Sequence, residues 1–349
     1  MKDVVILMGG SSSEREVSLV TGRSVMEAID TTRYRSRALE LGAMGRRVSQ
    51  LYARVSGFTR HPVSLQDDSS TQGPDAFSLS RELLAGGSSP DVVFIAMHGR
   101  YGEDGAVQGL LETLGIPYTG SGVLASALAM DKVATKRLLQ SAGLPTPAWC
   151  IADSSHPDIP DVGECIGFPA IVKPNREGST IGVTLVNSQN EVSEAVEEAL
   201  RHDSSALIEK FVTGIEITVG ILEETDSVFG TRKPFALPVI EICPKTGFYD
   251  YEAKYTAGLT DKIVPARLGE DTTSLVQEMS IQVHRLLGCL GMSRVDLIVT
   301  DQGPTILEVN TIPGMTPTSL LPRAAQAAGI SFTELISRII ESGLAEGPR

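Results

Sequence analysis

The first third of the chain alternates short apolar runs with stretches in which apolar residues recur every three or four positions. The runs "VVILM" and "DVVFIAM" are typical of buried strands, and the apolar spacing over residues 16–29 predicts a helix. Another helix is predicted at "AVQGLLETLG", where Gly115 ends it, and one more strand at residues 37–41. Strands that alternate with helices in this way predict a doubly wound α/β sheet.

Beyond about residue 120 the pattern favours hairpins. The runs "FPAIVKP" and "IGVTLV" predict one hairpin across "NREGST", and "SRVDLIVTD" and "PTILEVN" predict a second across "DQG". Three further runs predict strands, namely "ALIEKFV", "IEITVGIL" and "FALPVIEI". Periodic stretches predict helices at residues 130–143, 191–202, 274–287 and 319–328.

Length and charge narrow the functional classes. At 349 residues the chain is long for one domain, so two or three are expected. The net charge of −13 argues against a nucleic-acid partner and against an anionic membrane surface, since both call for basic patches. No apolar run has the length of a membrane span, and the N-terminal run is too short for a signal peptide. The four cysteines are widely spaced without CxxC, which fits a reducing cytoplasm.

Two predicted neighbouring strands carry a candidate metal site. Asp296 lies on one strand, and Glu308 and Asn310 lie two positions apart on the next. Residues two apart share a face of a strand, so a hairpin can bring all three side chains together. Hard oxygen ligands suit Mg²⁺ that is shared with substrate phosphates. A solvated sheet face is the alternative, but apolar residues flank the carboxylates on both strands, which favours a cleft.

The stretch "IVKPNREGSTIG" is a candidate phosphate site. Lys173 ends an apolar strand, where a cation without an anionic partner would be costly. Gly178, Ser179 and Thr180 follow in a loop whose N–H groups suit phosphate oxygens. An ordinary hairpin turn is the alternative, and the chain contains no GxxxxGK[ST] phosphate loop.

Other polar residues occupy positions where α/β proteins bind ligands. Glu209 and Glu216 flank the junction of two predicted strands, where a nucleotide can lie, although surface carboxylates would look the same. Glu14 and His98 follow buried strands, at the strand ends where open sheets bind ligands. A carboxylate can hold an ammonium group, whereas a lone histidine is more often a structural hydrogen-bonding group.

Two further stretches have patterns that bear on function. "GSGVLA" matches GxGxxA but follows no clean strand and lacks the acidic residue expected about 20 positions later, which argues against a dinucleotide site. Residues 244–265 are too long and too weakly periodic for a passive connection, so we interpret them as a lid.

Together the motifs resemble the D-alanine–D-alanine ligases of the ATP-grasp superfamily. The resemblance is carried by long motifs in a fixed order: "GGSSSEREVSL", "HGRYGEDG", "YTGSGVLASALAMDK", "IVKPNREGSTIG", "FYDYEAKY", "SRVD" and "EVNTIPGMTPTSL". It implies an α/β chain of three domains, with an N-terminal doubly wound Rossmann-like domain at residues 1–120. The α+β ATP-grasp part would comprise residues 121–212 and 213–349, with ATP between them.

The resemblance also implies roles for individual residues. The nucleotide would be held by Lys132, Lys173, Glu209, Phe211, Val212, Glu216 and Lys254. Two Mg²⁺ ions, or Mn²⁺, would be held by Asp296, Glu308 and Asn310. The reacting groups would be served by Glu14, Ser179, Tyr255, Arg294 and Gly314. The amino-acid substrates would also meet His98, Ser319 and Leu320.

The implied activity is the ATP-dependent joining of two D-alanine molecules for peptidoglycan precursors, by a cytoplasmic homodimer. A ligase for D-alanyl-D-lactate or D-alanyl-D-serine is the nearest alternative, and Tyr255 within "EAKY" resembles the dipeptide-forming type. A nucleotide-binding regulator without catalysis and a dehydrogenase are more distant alternatives. The complete set of Asp296, Glu308, Asn310 and Arg294 argues against the regulator, since a binding module need not keep them together.

Overall fold

The structure, a computed structural model, describes residues 1–42, 49–52, 76–84, 89–154, 159–225, 232–245 and 259–349. Within these ranges the strands form three sheets. None of the helices in the same ranges is long and apolar enough to cross a membrane.

The first sheet has the strand order β3-β2-β1-β4, and β1 pairs in parallel with both β2 and β4. Its elements are β1 (Lys2–Gly9), α1 (Arg15–Ala28), β2 (Tyr34–Leu41), β3 (Ser49–Tyr52), α2 (Ala76–Leu83), β4 (Val92–Ile95) and α3 (Ala106–Thr113).

Both faces of this sheet are covered. Val4, Ile6 and Met8 of β1 share a core with α1, while Val5 and Leu7 share another with α2 and α3. Because alternate residues of a strand point to opposite faces, a run that is apolar at every position needs cover on both sides. The doubly wound arrangement predicted for this part is confirmed.

The second sheet is antiparallel, with the order β5-β8-β6-β7. Its part of the chain contains α4 (Val123–Met130), α5 (Lys132–Ser141), β5 (Trp149–Asp153), α6 (Val162–Cys165), β6 (Ala170–Pro174), β7 (Thr184–Val186), α7 (Gln189–Leu200) and β8 (Ser205–Lys210). The predicted β6–β7 hairpin is confirmed, with Ala170 opposite Val186. Asp131 starts α5, where its carboxylate accepts a hydrogen bond from the N–H of Ala134 at 2.9 Å.

The third sheet has the order β12-β11-β9-β13-β14, and β10 also pairs with β9. Its part of the chain contains β9 (Ile215–Thr225), β10 (Arg232–Ala236), β11 (Ile240–Pro244), β12 (Thr260–Ile263), α8 (Glu270–Leu287), β13 (Met292–Thr300), β14 (Gly303–Asn310), α9 (Leu320–Ala327) and α10 (Phe332–Glu346). The predicted hairpin of β13 and β14 is confirmed, with Asp296 opposite Glu308.

Two predictions for this sheet were wrong in detail. The run "FALPVIEI" is not one strand but parts of β10 and β11, which are separated around Pro238, since proline offers no N–H to a ladder. Residues 244–265 are not one loop throughout, because Pro244 pairs with Thr260 and β12 occupies residues that were assigned to the loop, and the lid stays a prediction. Residues 246–258 lie outside the described residues.

The C-terminal helix α10 was not predicted, although its apolar residues have helical spacing. Leu335, Ile336 and Ile340 belong to the same core as Val4 and Ile6 of β1. The last helix of the chain therefore packs on the first sheet. The domain boundaries at residues 120 and 212 stay a prediction.

Candidate active site

One cavity of about 960 Å³ is lined by strand residues of the second and third sheets, and by residues of α1 and of the loops that follow β1 and β4 of the first sheet. It contains every predicted site residue that the structure describes: Glu14, His98, Lys132, Lys173, Ser179, Glu209, Phe211, Val212, Glu216, Arg294, Asp296, Glu308, Asn310, Gly314, Ser319 and Leu320. The remaining two, Lys254 and Tyr255, lie outside the described residues. Residues that are up to about 300 positions apart in sequence thus converge on one space.

The β13–β14 hairpin gathers four polar side chains on one face. Asp296 lies opposite Glu308, and Arg294 lies opposite Asn310, two positions further along each strand. The Arg294 guanidinium donates from Nε to Asp296 Oδ1 at 2.9 Å and from Nη2 to Oδ2 at 2.8 Å. Thr218 of β9 donates to Asp296 Oδ1 at 2.5 Å, so this carboxylate is held from two sides.

This face has the donor chemistry of a magnesium site. Asp296 and Glu308 offer carboxylate oxygens and Asn310 an amide oxygen, which are the hard ligands that Mg²⁺ prefers. The Asn310 oxygen also accepts the N–H of Ile312 at 2.8 Å, which fixes the orientation of the amide. No group of three His, Cys, Asp or Glu side chains in the described ranges is arranged for a metal ion. Because Mg²⁺ is usually bound through one or two carboxylates together with substrate phosphates, the donors on this face suit an ion that is shared with a bound phosphate.

Glu209 of β8 lies between two lysine ammonium groups. It is opposite Ile171 on β6, so Lys173, two positions on, shares its face and donates to it. Lys136 of α5 approaches the second oxygen, with 2.9 Å from Nζ to Oε2. Burial would raise the pKa of Glu209, but Lys173 and Lys136 outweigh it and lower that pKa. Burial would likewise lower the pKa of Lys173, but Glu209 and Glu308 outweigh it and raise that pKa.

Lys132, at the start of α5, is buried and lines the same cavity. Its Nζ donates to the backbone carbonyl of Glu177 at 2.6 Å. The Asn175 side chain accepts the N–H of Val133 at 2.8 Å, which ties the start of α5 to the end of β6. Lys132 of α5 and Lys173 of β6 therefore both line the cavity.

The loop after β6 has a backbone that only specific contacts can maintain. Ser179 and Thr180 have positive φ values of 52° and 63°, which are uncommon for residues other than glycine and most unusual for a β-branched one. The Ser179 hydroxyl donates a hydrogen bond to the carboxylate of Glu14, which directly precedes α1. A Cβ added at Gly178 would lie 2.6 Å from Glu14 Oε2, so the loop can approach Glu14 this closely only because that residue is glycine.

His98 is buried beside Glu14 and is only 3% exposed. Its Nδ1 lies 3.1 Å from Glu103 Oε1, and its Nε2 lies 3.0 Å from the Thr21 hydroxyl. Burial would lower the pKa of His98, but the hydrogen bond and charge of Glu103, together with the charge of Glu14, raise it. The two acidic side chains around His98 therefore favour its protonated form.

Helix α9 points its N-terminus into the cavity. Ser319 is its N-cap and makes no side-chain cap bond within the helix. Its hydroxyl instead lies 2.7 Å from that of Thr316 and 3.2 Å from the position of a Cβ on Gly314. The first N–H groups of a helix have no intrahelical partner and carry partial positive charge, so this end suits a carboxylate.

Sequence reasoning missed three cavity or near-cavity residues. Lys136 follows Lys132 by one helical turn in "MDKVATK", which is a readable signal, since both then lie on one face of α5. Thr218 was not singled out because a hydroxyl in a strand is too common to be a signal. Lys262 was placed in the lid, but it lies on β12 and lines the cavity.

The three sheets, the hairpin with its oxygen donors and the lysine-lined region define an ATP-dependent ligase with the ATP-grasp fold. The solved structure of D-alanine–D-alanine ligase from Bacillus anthracis complexed with ATP has a TM-score of 0.76 to this chain at 32% identity. The alignment covers 99% of this chain and 98% of that one.

Family models and curated relatives identify the family. The model described as D-ala D-ala ligase N-terminus matches residues 3–121, and the one described as D-ala D-ala ligase C-terminus matches residues 138–341. The D-alanine–D-alanine ligase of Syntrophotalea carbinolica is 43% identical over 342 residues, with 97% of this chain and 95% of that protein covered. That of Pelotomaculum thermopropionicum is 43% identical with the same coverage. The chain belongs to the D-alanine–D-alanine ligase family.

Proposed function

We propose that this enzyme uses ATP to join two molecules of D-alanine into D-alanyl-D-alanine, a precursor for peptidoglycan synthesis. The single observation that carries the proposal is the cavity itself. It brings lysines suited to phosphates, a carboxylate suited to an ammonium group and a helix N-terminus suited to a carboxylate into one space of about 960 Å³.

ATP would occupy the side of the cavity formed by the second and third sheets. Glu209, with the backbone at Phe211 and Val212, would hold adenine, and Glu216 would hold the ribose. Lys132 and Lys173 would contact the phosphates beneath the loop of Gly178–Thr180, and Lys254 would reach the terminal phosphate. Asp296, Glu308 and Asn310 would hold Mg²⁺, or Mn²⁺, which supplies charge neutralisation at the phosphates when it is bound.

In the first step, a carboxylate oxygen of the first D-alanine attacks the γ-phosphorus of ATP. The bond from that phosphorus to the bridging oxygen breaks, ADP leaves, and an acyl phosphate forms. Glu14, fixed by Ser179, holds the ammonium group of this D-alanine and so aims its carboxylate. Positioning of the two reactants and neutralisation of charge supply most of the acceleration.

In the second step, the amine of the second D-alanine, having lost a proton, attacks the acyl carbon. The tetrahedral intermediate collapses with loss of inorganic phosphate and leaves the new amide. Arg294 and the N–H of Gly314 donate to the oxyanion that develops on the acyl oxygen. Ser319 and the N–H of Leu320 hold the carboxylate of the second D-alanine at the N-terminus of α9.

Release of phosphate from ATP tests the proposal when it is measured with D-alanine, D-lactate, D-serine or no acceptor. D-Alanine is expected to give phosphate in equal amount to a product with the mass of the dipeptide. Equal or greater ester formation from D-alanine with D-lactate would instead identify a depsipeptide ligase. Binding of ATP without any phosphate release would identify a regulator, and hydride transfer would identify a dehydrogenase.

We also propose that the enzyme acts as a homodimer in the cytoplasm. The resemblance to the family supports the dimer, and four cysteines that are all free thiols are in keeping with a reducing compartment. Sedimentation equilibrium at several protein concentrations measures the oligomeric state directly, and a mass of about 37 kDa at every concentration would contradict the dimer.

A further inference from the structure

Lys136 is a fully buried cation that the proposed reaction does not use. Its side chain has no exposed area, whereas that of Lys173 is 12% exposed. Its Nζ lies 2.9 Å from Glu209 Oε2 and donates to the Thr146 hydroxyl at 2.7 Å. A buried ammonium group is costly unless it is paired and hydrogen bonded, and these two contacts meet that requirement.

The Glu209 carboxylate therefore has two cationic partners with different surroundings. Lys136 of α5 contacts Oε2 and is fully buried, while Lys173 contacts Oε1 from the cavity side. The Glu308 charge also raises the pKa of Lys173, so two carboxylates face the two lysines until a phosphate enters and offers Lys173 another anionic partner. Only Lys173 lines the cavity and can turn toward such a phosphate.

We infer that Lys136 is a positioning residue that holds Glu209 as an oriented anion, so that Lys173 is able to leave Glu209 and bind the phosphates when ATP enters. The inference rests on the proposed function, in which Glu209 accepts a hydrogen bond from adenine. Without Lys136, the departure of Lys173 would leave Glu209, which is 4% exposed, without either of the two lysines that contact it among the described residues. Lys136 thus stabilises the Glu209 carboxylate both before and after Lys173 moves.

The same arrangement determines which purine is accepted. Adenine carries an amino donor at its 6-position, whereas guanine carries an oxygen acceptor there. An anionic carboxylate that accepts from an amino group makes a strong charge-assisted hydrogen bond, and it repels an oxygen. The ratio of kcat/KM for ATP to kcat/KM for GTP therefore measures how well Glu209 is held, independently of the chemistry of ligation.

The experiment compares Lys136→Met, Lys136→Gln and Lys136→Arg with the unaltered enzyme. Loss of the charge in the Met and Gln variants should raise the KM for ATP and lower the ATP-to-GTP ratio, each by about tenfold or more, because a charge-assisted hydrogen bond is weakened. The kcat at saturating ATP should fall by less than the KM rises. Lys136→Arg, which keeps the charge, should retain most of the ratio.

Thr146→Val is the matched control, because it removes the neutral partner of Lys136 and leaves the ion pair intact. Thermal unfolding identifies the variants that fold. If the Met variant does not fold, Lys136→Gln, which retains a hydrogen-bond donor, takes its place. A folded Met or Gln variant with an unchanged ATP-to-GTP ratio would overturn the inference. Glu209→Gln separates the two proposals: an unchanged ratio in that variant would instead remove Glu209 from adenine recognition.

Discussion

The Ser179 hydroxyl donates a hydrogen bond to the Glu14 carboxylate, although 165 positions separate the two residues. The contact joins the loop after β6 to the start of α1, and so connects the nucleotide side of the cavity with the side proposed for the first D-alanine. Its donor has a left-handed backbone conformation, with φ of 52°. Such a conformation persists only where the surroundings hold it.

Gly178→Ala should separate this loop from Glu14. The added Cβ would lie 2.6 Å from Glu14 Oε2, so the carboxylate must move away from the position proposed for the substrate ammonium group. We expect the KM for the first D-alanine to rise by about tenfold or more, since a charged hydrogen bond is weakened, with little change in thermal stability. Gly269→Ala is the control, because nothing lies within 4 Å of a Cβ there. Equal kinetics in both variants would show that Glu14 does not bind the ammonium group.

Glu308→Gln should abolish most activity while the fold is retained. The substitution keeps the shape of the side chain but removes a negative charge opposite Asp296 on the β13–β14 hairpin. We expect turnover to fall by at least about a hundredfold and the magnesium requirement to rise, because a metal ligand has lost its charge. Glu278→Gln, on the exposed side of α8, is the control. Near-normal turnover at ordinary magnesium concentration would refute the metal assignment.

Arg294→Lys should not behave as a conservative change. Its guanidinium donates to both oxygens of Asp296, and a lysine ammonium group cannot reproduce that planar pair of bonds. We expect kcat to fall by about 10²-fold, the loss seen for one positioned oxyanion donor. Arg338→Lys, in a surface ion pair on α10, serves as the control. A change limited to the KM for ATP would place Arg294 outside the oxyanion site.

Glu103→Gln should alter how stability depends on pH. The pKa of His98 is raised above its ordinary value of 6.5 in the folded protein. Protonation of His98 therefore stabilises the folded protein. This stabilisation is fully present below pH 6.5 and is lost as the pH rises through the raised pKa. Without the Glu103 charge, burial should lower the His98 pKa, so the variant should lose stability preferentially on the acidic side.

The measurement for this prediction is the thermal midpoint from about pH 5 to about pH 9. Thr21→Val is the matched variant, because it removes the hydrogen-bond partner of His98 Nε2 without changing a charge. It should keep the pH dependence of the unaltered protein. Superimposable pH profiles for Glu103→Gln and the unaltered protein would show that Glu103 does not control His98.

Tyr255→Phe tests the choice of second substrate. The resemblance to the family implies that the Tyr255 hydroxyl bonds toward Ser179 and Glu14, and so shapes the field felt by the attacking group. Loss of one hydrogen bond of roughly 0.5–1.5 kcal/mol should shift the ester-to-amide product ratio by up to about tenfold toward D-alanyl-D-lactate. Competition between D-alanine and D-lactate at several pH values measures it. A constant ratio would exclude Tyr255 from substrate selection.

Local periodicity was enough to predict several features of the site. The alternation in "SRVDLIVTD" and "PTILEVN" predicts that Asp296, Glu308 and Asn310 share one face, because side chains in a strand repeat every two residues, and the pairing of the two strands confirms it. The unbroken apolar run of β1 likewise required cover on both faces, which the two cores on either side of the sheet provide.

Only the tertiary structure decided which distant groups meet. No local pattern relates Ser179 to Glu14, or Lys136 to Glu209, since each pair joins elements whose approach depends on how whole sheets and helices pack. The same holds for α10, whose apolar stripe could be read from the sequence but whose position on the first sheet could not. A sequence specifies the face that each element must bury, and the burial partner follows from long-range packing, in which many apolar faces compete for the same cover.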